Sequence, residues 1–169
     1  METLFSICCD IMYALGSLLG LSYEEVCVIG NIYVQGMLLV AAAAMPLWCA
    51  FKQGEHRAIK IATGINVLCC TVLVLYFCFR YAPPLVGAFD RCVDDLNNLA
   101  AAWDTTYVVV NVLIFVLGWV GSIAWNLLTM IFIYEGRKWV PMVMSLLHAT
   151  VSCWMLTVGY CLVATLPLH

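Results

Sequence analysis

His148 is the residue best able to do chemistry in this chain. It lies in a long apolar stretch, with Ser145 three residues before it and Ser152 four after, so the three share one side of a helix. An imidazole at membrane depth can relay a proton or ligate a haem or metal. Either job needs company, and neither a second histidine nor an acid falls at the same depth. The expected state is therefore a neutral histidine hydrogen-bonded across helices, with Ser145 or Ser152 as helper. No P-loop, serine-nucleophile motif or paired catalytic carboxylates occur. No catalytic residue, metal or cofactor is expected, and the chain reads as a non-enzyme.

The other polar groups inside apolar stretches are amides: Asn31, Gln35, Asn66, Asn111 and Asn126. Amides buried in lipid usually pair with a neighbouring helix. Asn31 and Gln35 are four apart and share a face. Gly118, Ser122 and Asn126 also repeat every four residues, and Gly118 with Ser122 forms a small-residue ridge that lets another helix approach closely. A further set of groups sits between spans. Asp90, Asp94, Asp95 and Trp103 belong to an acidic amphipathic segment that could dock a partner.

Ten cysteines are many for 169 residues, but no Cys-x-x-Cys pair is present and zinc is not indicated. Most of them fall in apolar helices, where cysteine acts as a small hydrophobe. A net charge of −3 offers no basic patch for phosphates, which excludes nucleic acid as a partner.

These residues must be positioned by membrane helices. The chain is 65% hydrophobic and only 10% charged, with a mean hydropathy of +1.02. Residues 105–134 contain no charge, and roughly 20 apolar residues suffice to cross a bilayer core. The expected fold is all-α: a single polytopic membrane domain over 1–169, with four transmembrane helices and two amphipathic interfacial helices. The spans are expected at 23–51, 59–81, 105–134 and 139–166. Residues 1–20 are expected to form an interfacial helix, because Asp10 interrupts the apolar run and Leu4, Ile7, Cys8, Ile11, Leu15, Leu18 and Leu19 make one stripe. Residues 85–103, after Pro83-Pro84, are expected to form the second. Ser22 and Glu25 have the spacing of a capping box, with Leu21 and Val26 as the hydrophobic staple, so the first span should start there.

Orientation follows from the basic residues. Lys52, Arg57 and Lys60 lie in one loop, and Arg137 and Lys138 in another on the same side of a four-span chain. Both termini are therefore expected on the non-cytoplasmic side. Cys8, Cys9 and Cys92 would share that more oxidising side, where a disulfide among them is conceivable.

Tyr13-Ala14-Leu15-Gly16, followed by Gly20-Leu21-Ser22-Tyr23-Glu24-Glu25-Val26-Cys27-Val28, resembles the start of small multi-span membrane proteins of Bacteroidetes-type bacteria. The resemblance covers about the first 35 residues. It implies a bacterial inner (plasma) membrane location and assigns no functional residue. The expected function is interaction through helices, as a subunit or accessory of a membrane complex or as a homo-oligomer. The alternative is an oligomeric channel or pore whose water path is lined by the amides. The expected partners are the lipid bilayer and either another membrane protein or further copies of this chain.

Overall fold

Ser22 starts the first long helix of the bundle as its spacing predicts. Its hydroxyl accepts from the Glu25 amide at 3.2 Å, and the Glu25 carboxylate accepts from the Ser22 amide at 2.9 Å. Both otherwise orphaned amides are satisfied, which fixes the helix start to the residue. In the computed structural model, residues 2–165 are described. Every regular element among them is helical. Leu166, the end of the last expected span, and both chain ends lie outside the described residues.

We number the helices α1 (Glu2–Leu19), α2 (Tyr23–Lys52), α3 (Arg57–Arg80), α4 (Leu85–Ala102), α5 (Tyr107–Tyr134) and α6 (Val140–Thr165). Two are not α-helical throughout. A π-helical segment, Ile29–Val34, interrupts α2, and another, Val112–Gly118, interrupts α5. Nothing in the apolar patterning announces these wider turns. Among the described residues, five helices are long and apolar enough to cross a membrane: α1, α2, α3, α5 and α6.

α3 lies along α6, and α2 lies along both α3 and α5, while α5 and α6 meet less extensively. α1 and α4 pack at the end of the bundle where α2 and α5 begin and α3 finishes. The larger core cluster runs from this end into the middle of the bundle and includes Val28, Ile32, Ala43, Cys70, Tyr81, Leu96, Val110 and Trp119. A smaller one, built on Cys49, Ala50, Ile59 and Ile133, closes the other.

α1 shows three strips. Phe5, Cys8, Cys9, Met12 and Gly16 turn towards the bundle. Leu4, Ile7, Ile11, Leu15 and Leu18 point away from it, Leu18 at 80% exposure. Glu2, Ser6, Asp10 and Ser17 fall on the remaining side. The apolar stripe seen in the sequence is thus the outward face, not the packing face. Gly16 is needed where α1 meets α2, because a Cβ there would come within 2.9 Å of the Leu21 carbonyl.

The α3–α6 contact brings Cys69 Sγ within 3.6 Å of Cys153 Sγ. Oxidation with a membrane-permeant copper–phenanthroline complex is expected to join these two thiols within one chain in most molecules, because a short side-chain movement reaches bonding distance. Peptide mapping after alkylation reads the result. A Cys69→Ser variant should lose the cross-link, and failure of the native pair to form it would contradict the helix register.

Candidate functional site

The amides of the apolar helices fall into two sets. The first is a chain of hydrogen bonds across three helices. Asn66 (α3) and Asn126 (α5) are each 1% exposed, and His148 (α6) is 7% exposed. Asn66 Nδ2 donates to Asn126 Oδ1 at 2.8 Å, and Asn126 Nδ2 donates to the Ser122 carbonyl at 2.8 Å. Asn66 Oδ1 is left as an acceptor 2.8 Å from His148 Nδ1. The network therefore assigns the proton to Nδ1, and the donors run in one direction from His148 to the Ser122 carbonyl. Cys70 Sγ sits beside the junction, 3.6 Å from His148 Nδ1 and 3.7 Å from Asn66 Oδ1.

His148 was expected to be helped by Ser145 or Ser152, and the helper is Asn66 instead. The Ser152 hydroxyl donates to the His148 carbonyl at 3.0 Å, one turn back on its own helix. Ser145 Oγ is buried and has no hydrogen-bond partner. An asparagine can donate and accept at once, so it can sit in the middle of a chain and satisfy both neighbours.

The second set lines a partly open cavity of about 100 Å³ between α1, α2, α4 and α5. Asn31, Gln35 and Asn111 reach it, as do Tyr23, Cys27 and Tyr107. Tyr23, Cys27, Asn31 and Gln35 are spaced by four along α2, and Tyr107, Asn111 and Phe115 by four along α5. On an α-helix of 3.6 residues per turn, residues four apart drift around the axis. A π-helical turn takes more residues per turn and drives the drift back. The two π segments thus hold each spaced-by-four row on the cavity. Asn111 Nδ2 donates to the Tyr107 hydroxyl at 3.2 Å, and the Cys9 thiol meets the Tyr23 hydroxyl at 3.4 Å. Gln35 Oε1 is buried with no hydrogen-bond partner.

Cys8, Cys9 and Cys92 all line this cavity. They are free thiols, so no disulfide links them here. Burial pushes the Cys92 thiol up to about 12, which keeps it protonated at neutral pH. No group of three or more histidine, cysteine or acidic side chains among the described residues could hold a metal ion.

No known protein family, curated protein or solved structure matches the chain.

The acidic segment does not present all its carboxylates outward. Asp90 and Asp94 are exposed, and so is Trp103 at the end of α4. Asp95 faces inward, where it accepts from Arg80 Nε at 3.1 Å, Arg80 Nη2 at 2.9 Å and the Tyr81 hydroxyl at 2.9 Å. Asp95 therefore cannot join a docking face with Asp90 and Asp94, and Arg80 is paired rather than reaching for the membrane surface. Arg91 donates to the Arg80 and Ala82 carbonyls at the end of α3, satisfying acceptors that the helix leaves open.

Gly118 and Ser122 line a groove of about 300 Å³ between α3, α5 and α6, whereas Asn126 is turned into the core. The groove's walls are large apolar side chains, including Leu73, Phe77, Trp119 and Met155. The sequence pattern found the ridge but not that its third member belongs to the hydrogen-bonded chain. Missed altogether were Cys70, Tyr23, Cys27 and Tyr107. The rows spaced by four were the available signal.

Proposed function

We propose that this chain is a non-enzymatic integral membrane protein that works through helix–helix interaction, as a subunit or accessory of a larger membrane complex or as a homo-oligomer. The groove between α3, α5 and α6 carries this reading. Its small floor at Gly118 and Ser122 and its bulky walls suit a transmembrane helix lying against α5.

In this reading α2, α3, α5 and α6 cross the bilayer. α1 and α4 lie in the interface at one end, α1 with its outward apolar strip in lipid and its polar strip in water. Trp48 and Trp139 are exposed near the basic loops, and Lys52 lies over the Trp48 ring at 5.0 Å, as suits an aromatic belt. Those loops face the cytoplasm and both termini face away from it. The N-terminal resemblance favours a bacterial inner membrane, and no nucleic-acid partner is involved.

A pore is the second reading, and the cavity lined by Asn31, Gln35 and Asn111 favours it. It is weaker because Asn66 and Asn126, which a pore would need on its water path, are bonded to each other in the middle of the bundle.

Native mass spectrometry of the protein, extracted in its own lipid, tests the proposal. We expect a stoichiometric foreign subunit or a ladder of identical copies. Ser122→Leu, which fills the groove, should lose most of that assembly. Gly121→Leu, where an added side chain meets open space, should keep it. A bare monomer from the wild-type chain would overturn the proposal.

A further inference from the structure

The charged residues of this chain are divided between the two ends of the bundle. Lys52, Arg57, Lys60, Arg137 and Lys138 stand with Glu55 and Glu135 at the end formed by the α2–α3 and α5–α6 loops. Arg80 and Arg91 stand with the other eight acids at the opposite end. Charge that only sets orientation in a membrane needs no particular place in the fold. Here the fold brings the two basic loops together around one open groove. Gln53, His56 and Lys138 supply its polar wall, and Ile59, Trp139 and Met142, at the starts of α3 and α6, supply its apolar wall. Trp139 is 72% exposed, and Trp48 and Phe51 are exposed nearby at the end of α2. Lys52 Nζ lies over the Trp48 ring at 5.0 Å and Lys60 Nζ over the Phe51 ring at 5.2 Å. Arg137 pairs with Glu135 at 3.6 Å, whereas Lys52, Arg57, Lys60 and Lys138 make no ion pair among the described residues. Cations without carboxylate partners, set beside exposed aromatic rings, match the headgroup level of an anionic bilayer.

We propose that this groove seats an anionic glycerophospholipid of the surrounding bilayer. The lipid phosphate supplies the counter-charge for Lys138, and the acyl chains lie against Trp139 and Met142. His56 Nδ1 accepts from the Ala58 amide at 3.4 Å, which leaves Nε2 as the donor of that ring for the phosphate. Glu55 also lines the groove and opposes the phosphate, so the site is held below its full strength. A zwitterionic headgroup binds less tightly, because its own cation offsets the phosphate in front of this positive surplus. The inference rests on the membrane-spanning reading, and it is independent of the assembly proposed at the groove between α3, α5 and α6.

The test titrates the delipidated full chain, in a neutral detergent, with dioleoylphosphatidylglycerol or dioleoylphosphatidylcholine. Native mass spectrometry counts the lipids bound per chain. The acyl chains are identical, so any preference reports the headgroup. We expect phosphatidylglycerol to bind at least about tenfold tighter. Lys138→Gln should cut that preference about fivefold, the effect of one lysine beside an anionic lipid surface. Asn97→Asp makes the same change in net charge at an exposed position of α4, at the other end of the bundle, and should leave the preference unchanged. Glu55→Gln should raise it. The thermal unfolding midpoint shows which variants are folded, and either groove variant alone suffices. Equal binding of the two lipids, or a folded groove variant with the wild-type preference, would overturn the proposal. So would an Asn97→Asp variant that loses as much preference as Lys138→Gln, since net charge and not the groove would then govern binding. Soluble glycerol 3-phosphate binding as tightly as the lipid would also overturn it, as the site would be one for a free phosphate. Carbonate extraction of membranes separates the two levels of failure. A chain washed out by carbonate removes the membrane reading and this proposal together, whereas a retained chain with equal lipid binding removes this proposal alone.

Discussion

Asn66→Ala is expected to destabilise the bundle by about 2–3 kcal/mol, because it orphans two buried groups at once. His148 Nδ1 loses its acceptor and Asn126 Oδ1 loses its donor. Neither can turn to water, since Asn126 is 1% and His148 7% exposed. Asn126→Ala should cost less, as it orphans one buried donor, Asn66 Nδ2, and leaves the His148–Asn66 bond in place. Hydrogen bonds between membrane helices average only about 0.6 kcal/mol because the unfolded chain also finds partners. The excess expected for Asn66 comes from its place in the middle. Equilibrium unfolding in mixed lipid and detergent micelles gives the free energies. A double-mutant cycle with His148→Ala should return a coupling of about 1 kcal/mol. If Asn66→Ala stays within about 0.5 kcal/mol of the wild type, as an ordinary surface change would, the chain does not hold the helices together.

The elements were largely legible because membranes make local rules strong. A helix in lipid must satisfy its own backbone, so unbroken apolar runs translate directly into helices. The capping box placed the start of α2 at Ser22, and the charged loops placed the turns around Lys52–Lys60 and Glu135–Lys138. What the sequence does not encode locally is which polar residue meets which. Asn66, Asn126 and His148 are far apart in the chain and come together only through tertiary packing. A list of five equivalent amides therefore hid two different environments: a closed hydrogen-bonded chain and the lining of a small pocket. The split could have been glimpsed in the spacing. Tyr23, Cys27, Asn31 and Gln35 form one row, and Asn66 with Cys70 another, yet only the π segment tells that the first row stays on a single face.

Asp95 carries the other large expected effect, since the acidic helix depends on it rather than on its exposed neighbours. Its carboxylate takes both nitrogens of the Arg80 fork and the Tyr81 hydroxyl, tying the middle of α4 to the end of α3. A fully exposed ion pair would contribute about 0–1 kcal/mol. Here the side chains are 25% and 13% exposed, and Tyr81 is 5% exposed, so the unpaired partners cannot all be rescued by water. Asp95→Ala is expected to cost about 1–3 kcal/mol, chiefly as a buried hydroxyl and a half-covered guanidinium left without an acceptor. The loss should be local. Amide hydrogen exchange in α4 should quicken while the midsections of α3 and α6, held by the Asn66 chain, remain protected. Asp95→Asn should fall between, because the amide oxygen can still accept from Tyr81 but no longer offers two oxygens to the fork. Arg80→Lys should likewise lose the paired geometry while keeping the charge. If α4 exchanges at the wild-type rate in Asp95→Ala, the helix is held by Ala88, Leu96 and Leu99 packing alone. The aspartate would then return to being one more acid on a solvated face.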